Sequence, residues 1–153
     1  MKVRMTPLTV ALSLFAATAY AADPNLGTWR LNESKSKIPA GTGKNTKVVY
    51  EQTGESFEAT IDGVDNEGKP THTEWTGKID GKDYLIVGDR ESDTRALKKV
   101  DNHHYTFVSK KDGKVTDSGK VVFSKDYKTR TIEVSWKDKD GRPVSGTLVF
   151  EKQ

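Results

Sequence analysis

The sequence predicts an all-β chain: an antiparallel up-and-down meander of about eight to ten strands that closes into a barrel. Three observations carry that expectation. Bulky apolar residues recur at alternate positions, glycine-rich turn clusters separate the alternating runs, and no segment of ten or more residues has a helical apolar stripe.

The first run is Gly27-Thr28-Trp29-Arg30-Leu31, followed by a polar loop from Glu33 to Lys44 that has room for one short helical turn. The second places Val48, Tyr50 and Gln52 on one face, and the third does the same with Phe57, Ala59 and Ile61. From Thr71 to Ile79, Thr73, Trp75 and Ile79 oppose His72, Glu74 and Lys78. Tyr105 and Phe107 alternate with Thr106 and Val108, and later runs carry Val121 and Phe123, then Ile132, Val134 and Trp136, then Leu148 and Phe150. Between them lie Thr53-Gly54-Glu55, Asp65 to Pro70, Asp80-Gly81-Lys82, Asp112-Gly113-Lys114 and Lys139 to Pro143. Asp-Gly between alternating runs signals a hairpin, because glycine takes positive φ without a Cβ clash. Asp65 to Pro70 and Asp138 to Pro143 share one order of acid, glycine, base and proline, which reads as the same turn chemistry used twice.

Sequential antiparallel strands with one apolar face each must bury those faces together and leave no long open edge, which favours a barrel over the runner-up, a two-sheet sandwich. Only 33% of the residues are apolar, so part of the inward surface is expected to be small or polar. Thr60, Thr73, Thr76, Ser109, Thr131, Ser135 and Gly146 are the candidates for it.

Residues 1–21 have the pattern of a secretory signal: Lys2 and Arg4 without an acid, an apolar run from Leu8 to Ala17, then Ala19-Tyr20-Ala21. Removing them takes two bases and no acid, so the net charge of +3 becomes +1 for a single domain spanning 22–153, expected in the periplasm or outside the cell. Interspersed charges of both signs offer no basic face for nucleic acid. The chain has no cysteine, which excludes a disulfide scaffold, a thiolate metal site and a cysteine nucleophile. The leader's apolar stretch is too short for a transmembrane helix, and no later run is longer.

Asn25-Leu26-Gly27-Thr28-Trp29-Arg30-Leu31-Asn32 places Gly-x-Trp at the opening of the first strand, and in this the chain resembles the lipocalin-like, or calycin, superfamily. Together with Ser34, Lys35, Asp80-Gly81-Lys82-Asp83-Tyr84 and the terminal Glu151-Lys152-Gln153, it looks like small exported bacterial proteins of that type, a group with no established function. The resemblance implies a barrel whose bottom is closed by Trp29. It departs from typical lipocalins in lacking a carboxy-terminal helix, a disulfide and a clear Thr-Asp-Tyr motif.

Trp29, Trp75, Tyr84, Phe107 and Trp136 are the candidate ligand-binding residues, since pockets in barrels are mostly apolar with a few polar groups; ordinary core packing accounts for the same residues. His72 and Glu74 share a strand face and have the chemistry of a general acid and base, which makes an isomerase, cyclase or hydrolase the alternative; Lys78 on that face points instead to a solvated exterior. His103 and His104 point to opposite faces beside a turn. Ser34 and Lys37 have Ser-x-x-Lys spacing without a helix or the companion motifs it requires. Gly63 to Lys69 imitates a phosphate loop, but Pro70 stands where a hydroxyl residue is needed. Asp138-x-Asp140-Gly141 lacks the later ligands of a calcium loop.

These features predict a monomeric exported protein that binds a small, partly apolar ligand in its barrel, with no cofactor or metal. A packed interaction domain without a pocket is the third reading. Amino-terminal sequencing of the exported protein is expected to read Ala-Asp-Pro-Asn from Ala22; retention of residues 1–21 contradicts export by this route.

Overall fold

The computed structural model describes residues 21–153, so the expected leader, apart from Ala21, lies outside the described residues. Ten strands follow one another: β1 Gly27–Leu31, β2 Lys44–Thr53, β3 Ser56–Val64, β4 Pro70–Gly77, β5 Asp80–Val87, β6 Thr94–Lys99, β7 His104–Lys111, β8 Lys114–Phe123, β9 Thr129–Lys137 and β10 Pro143–Lys152. Each pairs antiparallel with the next, and β1 pairs with β10, so the meander closes into a barrel with no open edge. The only helical element among the described residues is the 3-10 turn Glu33–Lys35.

The hairpins form where the side chains can replace missing backbone partners. Asp65 Oδ1 accepts from the amides of Glu67 and Lys69 at 2.9 Å, and Asp138 Oδ1 accepts from those of Asp140 and Arg142 at the same distance. Gly68 and Gly141 then take φ of +79° and +77°, and Pro70 and Pro143 open the following strands. The two similar sequences are one turn used twice. Asp112 and Gly113 both have positive φ, as a type I′ turn requires.

Asp80-Gly81-Lys82 does not form a hairpin turn. Lys78 and Ile79 make the connection, while Asp80 and Gly81 belong to β5 at a register shift against β6, with Gly81 at φ +82°. The glycine's conformational freedom is used for a bulge rather than a reversal.

Of the seven small or polar residues expected inside, four lie outside. Thr73, Ser109 and Gly146 share register rows with Ile61, Phe107's neighbour Arg95, and Val134. Thr60, Thr76, Thr131 and Ser135 sit opposite Glu74, Glu58, Val122 and Ser118 on the outer face. Each is one residue out of step with the inward-facing position beside it, and in a strand one step changes the face.

β1 is only five residues long, and the wall above it is completed by the loop that follows. Lys37 and Thr147 exchange backbone hydrogen bonds of 2.7 and 2.9 Å, Ser36 Oγ accepts from the Val149 amide at 2.9 Å, and Pro39 lies over Gly146. The chain between Asn32 and Lys44 is thus a strap along the barrel wall.

Gly88, at φ +86°, and Gly141 separate two costs of a side chain. A Cβ at Gly141 meets open space, whereas one at Gly88 meets the carbonyl oxygen of His72. Gly141→Ala is expected to cost the backbone strain alone, about 1–2 kcal/mol, and Gly88→Ala to lower the melting temperature further. Equal melting temperatures contradict this packing.

Candidate ligand-binding site

The barrel's interior is built in rows. Across β6 to β10, a row near the amino-terminal end holds Tyr105, Val121, Ile132 and Leu148; the next holds Leu97, Phe107, Gly119, Val134 and Gly146; the one beyond holds Arg95, Ser109, Asp117, Trp136 and Val144. Composition changes from aromatic to polar along this axis. The lowest row joins Phe123, Arg130, Phe150 and Leu31.

The aromatic end is sealed. Trp29 is fully buried, and its Nε1 donates to the Asn25 carbonyl at 2.8 Å. Asn25 is held in turn by Asp23 Oδ1, which accepts from its backbone and side-chain amides at 2.9 Å. Tyr105 reaches across from β7 to donate its hydroxyl to Asp23 Oδ2 at 2.9 Å. Burial, followed by the Asp23 carboxylate, pushes the Tyr105 hydroxyl above its ordinary pKa and keeps it a donor. Residues 23–26 thereby form the floor together with Trp29.

Inside this floor lies a buried charge. The Arg130 guanidinium sits 4.9 Å from the Trp29 ring, 5.1 Å from Phe150 and 5.5 Å from Tyr50, and its Nε has no hydrogen-bond partner among the described residues. Burial lowers its pKa to about 10, opposed by Tyr50, so it is a cation at neutral pH. The ring faces take the place of water. Arg130 stands two residues before Ile132 and so on the same inward face, yet nothing local in the sequence marks it as part of the floor.

Above the floor some inward side chains keep part of their surface accessible, although Leu97 and Ser109 in the same rows are buried. Phe107, Ile132, Leu148 and Trp136 are only half-buried, while Trp29, Tyr105, Phe123 and Phe150 are at most 3% exposed. Of the five aromatic candidates, Trp29 lies in the floor, and Trp75 packs edge-on to Tyr84 at 6.2 Å and donates Nε1 to the Arg95 carbonyl at 3.0 Å. Tyr84 covers Gly77, and Phe107 covers Gly119. Trp136 stands in the polar row beside Pro39 and Gly146. Tyr84 shares the row of Arg95 and Trp136, Trp75 packs on Tyr84, Phe107 stands one row nearer the floor and Trp29 lies in the floor, so the five do not form one cluster.

Two concave regions lie elsewhere: one of about 330 Å³ formed by the strap, including Ile38, Pro39 and Lys44, and one of about 280 Å³ beside Val100, Tyr105 and Lys120. Neither is lined by the five candidates.

His72 and Glu74 face outward, with side chains 59% and 66% exposed. His72 Nδ1 is 2.7 Å from Asp62 Oδ1, and Nε2 is 3.4 Å from Glu74 Oε1. The pair has no access to the bore. His103 stacks on Tyr127 at 4.6 Å, and His104 starts β7 beside Asp101. No group of three metal-ligating side chains occurs among the described residues.

No family model and no curated protein matches the chain. Among solved structures it is similar to EF1p2_mFAP2b bound to DFHBI, with a TM-score of 0.49 and 10% identity over 85% of this chain and 94% of the other. It is also similar to apocrustacyanin C1, with a TM-score of 0.46 and 11% identity over 86% of this chain and 62% of the other. The architecture, a closed antiparallel meander, is lipocalin-like.

A double-mutant cycle on Trp29→Phe and Arg130→Met is expected to give a coupling of about 1–2 kcal/mol in unfolding free energy; additivity contradicts a shared floor. The His72 pKa is raised above 6.5, first by the hydrogen bond to Asp62 and then by that to Glu74. Its contribution to stability is therefore present below pH 6.5 and lost as pH rises through the folded-state value. An NMR titration should show the His72 midpoint falling in Asp62→Asn; an unchanged midpoint contradicts the contact.

Proposed function

We propose that the protein is an exported, monomeric binding protein that holds a small, partly apolar molecule in the bore of its barrel. The observation that carries this reading is the contrast between the sealed floor and the half-buried Phe107, Ile132, Leu148 and Trp136 that face the bore above it. Accessible apolar surface inside a closed wall is what a ligand can cover without unfolding anything. The concave regions of about 330 and 280 Å³ lie outside the bore, and the ligand of this reading is a slender one such as an alkyl chain or a narrow aromatic molecule. The leader pattern of residues 1–21 supports export of a domain spanning 22–153, and closure of the barrel within one chain supports a monomer.

A second reading, an interaction domain, draws support from Leu85 and Val87, which expose 72% and 64% of their surface on the outer face of β5. The outward placement of His72 and Glu74 removes the reason for assigning them an enzyme's acid and base.

Titration with N-phenyl-1-naphthylamine distinguishes these readings. Saturable binding at one site per chain is expected, with micromolar affinity within reach at about 25 cal/mol per Å² of apolar area before association costs. Trp136→Leu should weaken binding about tenfold, or about 1.4 kcal/mol, with little change in melting temperature. Trp29→Ala should instead cost about 3–5 kcal/mol of stability. Absence of saturable binding by the folded monomer removes the proposal.

A further inference from the structure

The upper row places a cation inside the barrel, where an apolar carrier has no use for one. Arg95 extends over the Phe107 ring, 5.7 Å from its centroid, and donates Nε to Ser109 Oγ at 2.9 Å. Ser109, itself 0% exposed, passes the hydrogen bond to Asp117 Oδ1 at 3.0 Å. Asp89, from the loop beyond β5, lies 4.0 Å from an Arg95 terminal nitrogen. That loop is pinned by Ser92, whose hydroxyl lies 2.7 Å from that of Thr116. The Arg95 side chain is 21% exposed, and among the described residues its terminal nitrogens have no closer partner than Asp89.

Two features of this cluster constrain a ligand. The terminal nitrogens are donors fixed in position by the Nε bond and the ring beneath, so an acceptor atom entering the bore meets a prepared partner. Yet the carboxylates of Asp117 and Asp89 outnumber the guanidinium, and Asp93 at the rim is engaged with the Asp112 amide without adding positive charge. A carboxylate or phosphate entering here meets a net negative surrounding. A hydroxyl or carbonyl group instead accepts from Arg95 with no such repulsion, and a hydroxyl can also donate to an aspartate.

We infer that the ligand is a neutral amphipath whose hydroxyl or carbonyl end is held by Arg95 beside Asp117, with its apolar body over Phe107, Ile132 and Leu148. This rests on the proposed binding function and names the ligand's chemical class.

Displacement of N-phenyl-1-naphthylamine by 1-decanol and by decanoate at pH 7.5 tests it. The alcohol is expected to bind about tenfold more tightly than the carboxylate. Any apolar pocket prefers the alcohol to some degree, so the variants decide the matter. Asp117→Asn should improve decanoate binding several-fold while leaving decanol little changed, and Arg95→Met should weaken decanol several-fold, with melting curves confirming that both fold. If the alcohol-to-acid ratio is the same in the wild type and Asp117→Asn, or decanol binding is unchanged in Arg95→Met, the inference is overturned while the fluorophore's binding still upholds the proposed function. If the fluorophore fails to bind, the proposed function falls and this inference with it.

Discussion

Arg130 is carried out of water into the aromatic end of the barrel, and the cost of that burial governs what surrounds it. A guanidinium removed from solvent loses several kcal/mol of hydration even after relaxation. Trp29, Tyr50 and Phe150 offset that loss by presenting ring faces to the cation at 4.9 to 5.5 Å. Those rings stand on β1, β2 and β10, and the cation stands on β9. The contact therefore spans the seam where the first and last strands meet, and the interaction that accommodates the charge also ties the meander into a closed wall.

Closure at one end leaves the other free to differ. Residues 23–26 seal the floor through Asn25 and the bond from Tyr105 to Asp23. Towards the opposite end the rows become more polar: Gly119 and Gly146 carry no side chain, and Arg95, Ser109 and Asp117 stand in one row with Trp136. The strap around Lys37 and Pro39 completes the wall at the level where β1 has ended. Stability is concentrated in the floor, and the part of the bore that can exchange contacts for a ligand lies above it.

The barrel was legible because its signals are local. Alternation in β3 and β9, and the Asp65 and Asp138 turns, follow from side-chain period and from aspartate oxygens satisfying nearby amides. β5 and β6 were not read as separate runs, since Leu85 and Val87 are outward and exposed, while Leu97 is the one fully buried residue in β6. The polar residues of the bore were harder still. Arg130, Arg95 and Asp117 each lie at inward parity, but a charge at a core position becomes intelligible only when its partners on other strands are known. Trp29 was recognisable from Gly27-x-Trp29; its cationic partner, 101 residues later, was not.

Quenching of tryptophan fluorescence by acrylamide separates a sealed floor beneath an accessible bore from a barrel that is open throughout. The protein has three tryptophans, of which Trp29 and Trp75 are buried and Trp136 is half-buried in the upper row. The account predicts a quenchable fraction that disappears in Trp136→Phe, leaving emission that acrylamide scarcely affects. Strong quenching that persists in Trp136→Phe while the protein remains folded would contradict it, because the quencher would then be reaching Trp29 or Trp75, both buried in the structure.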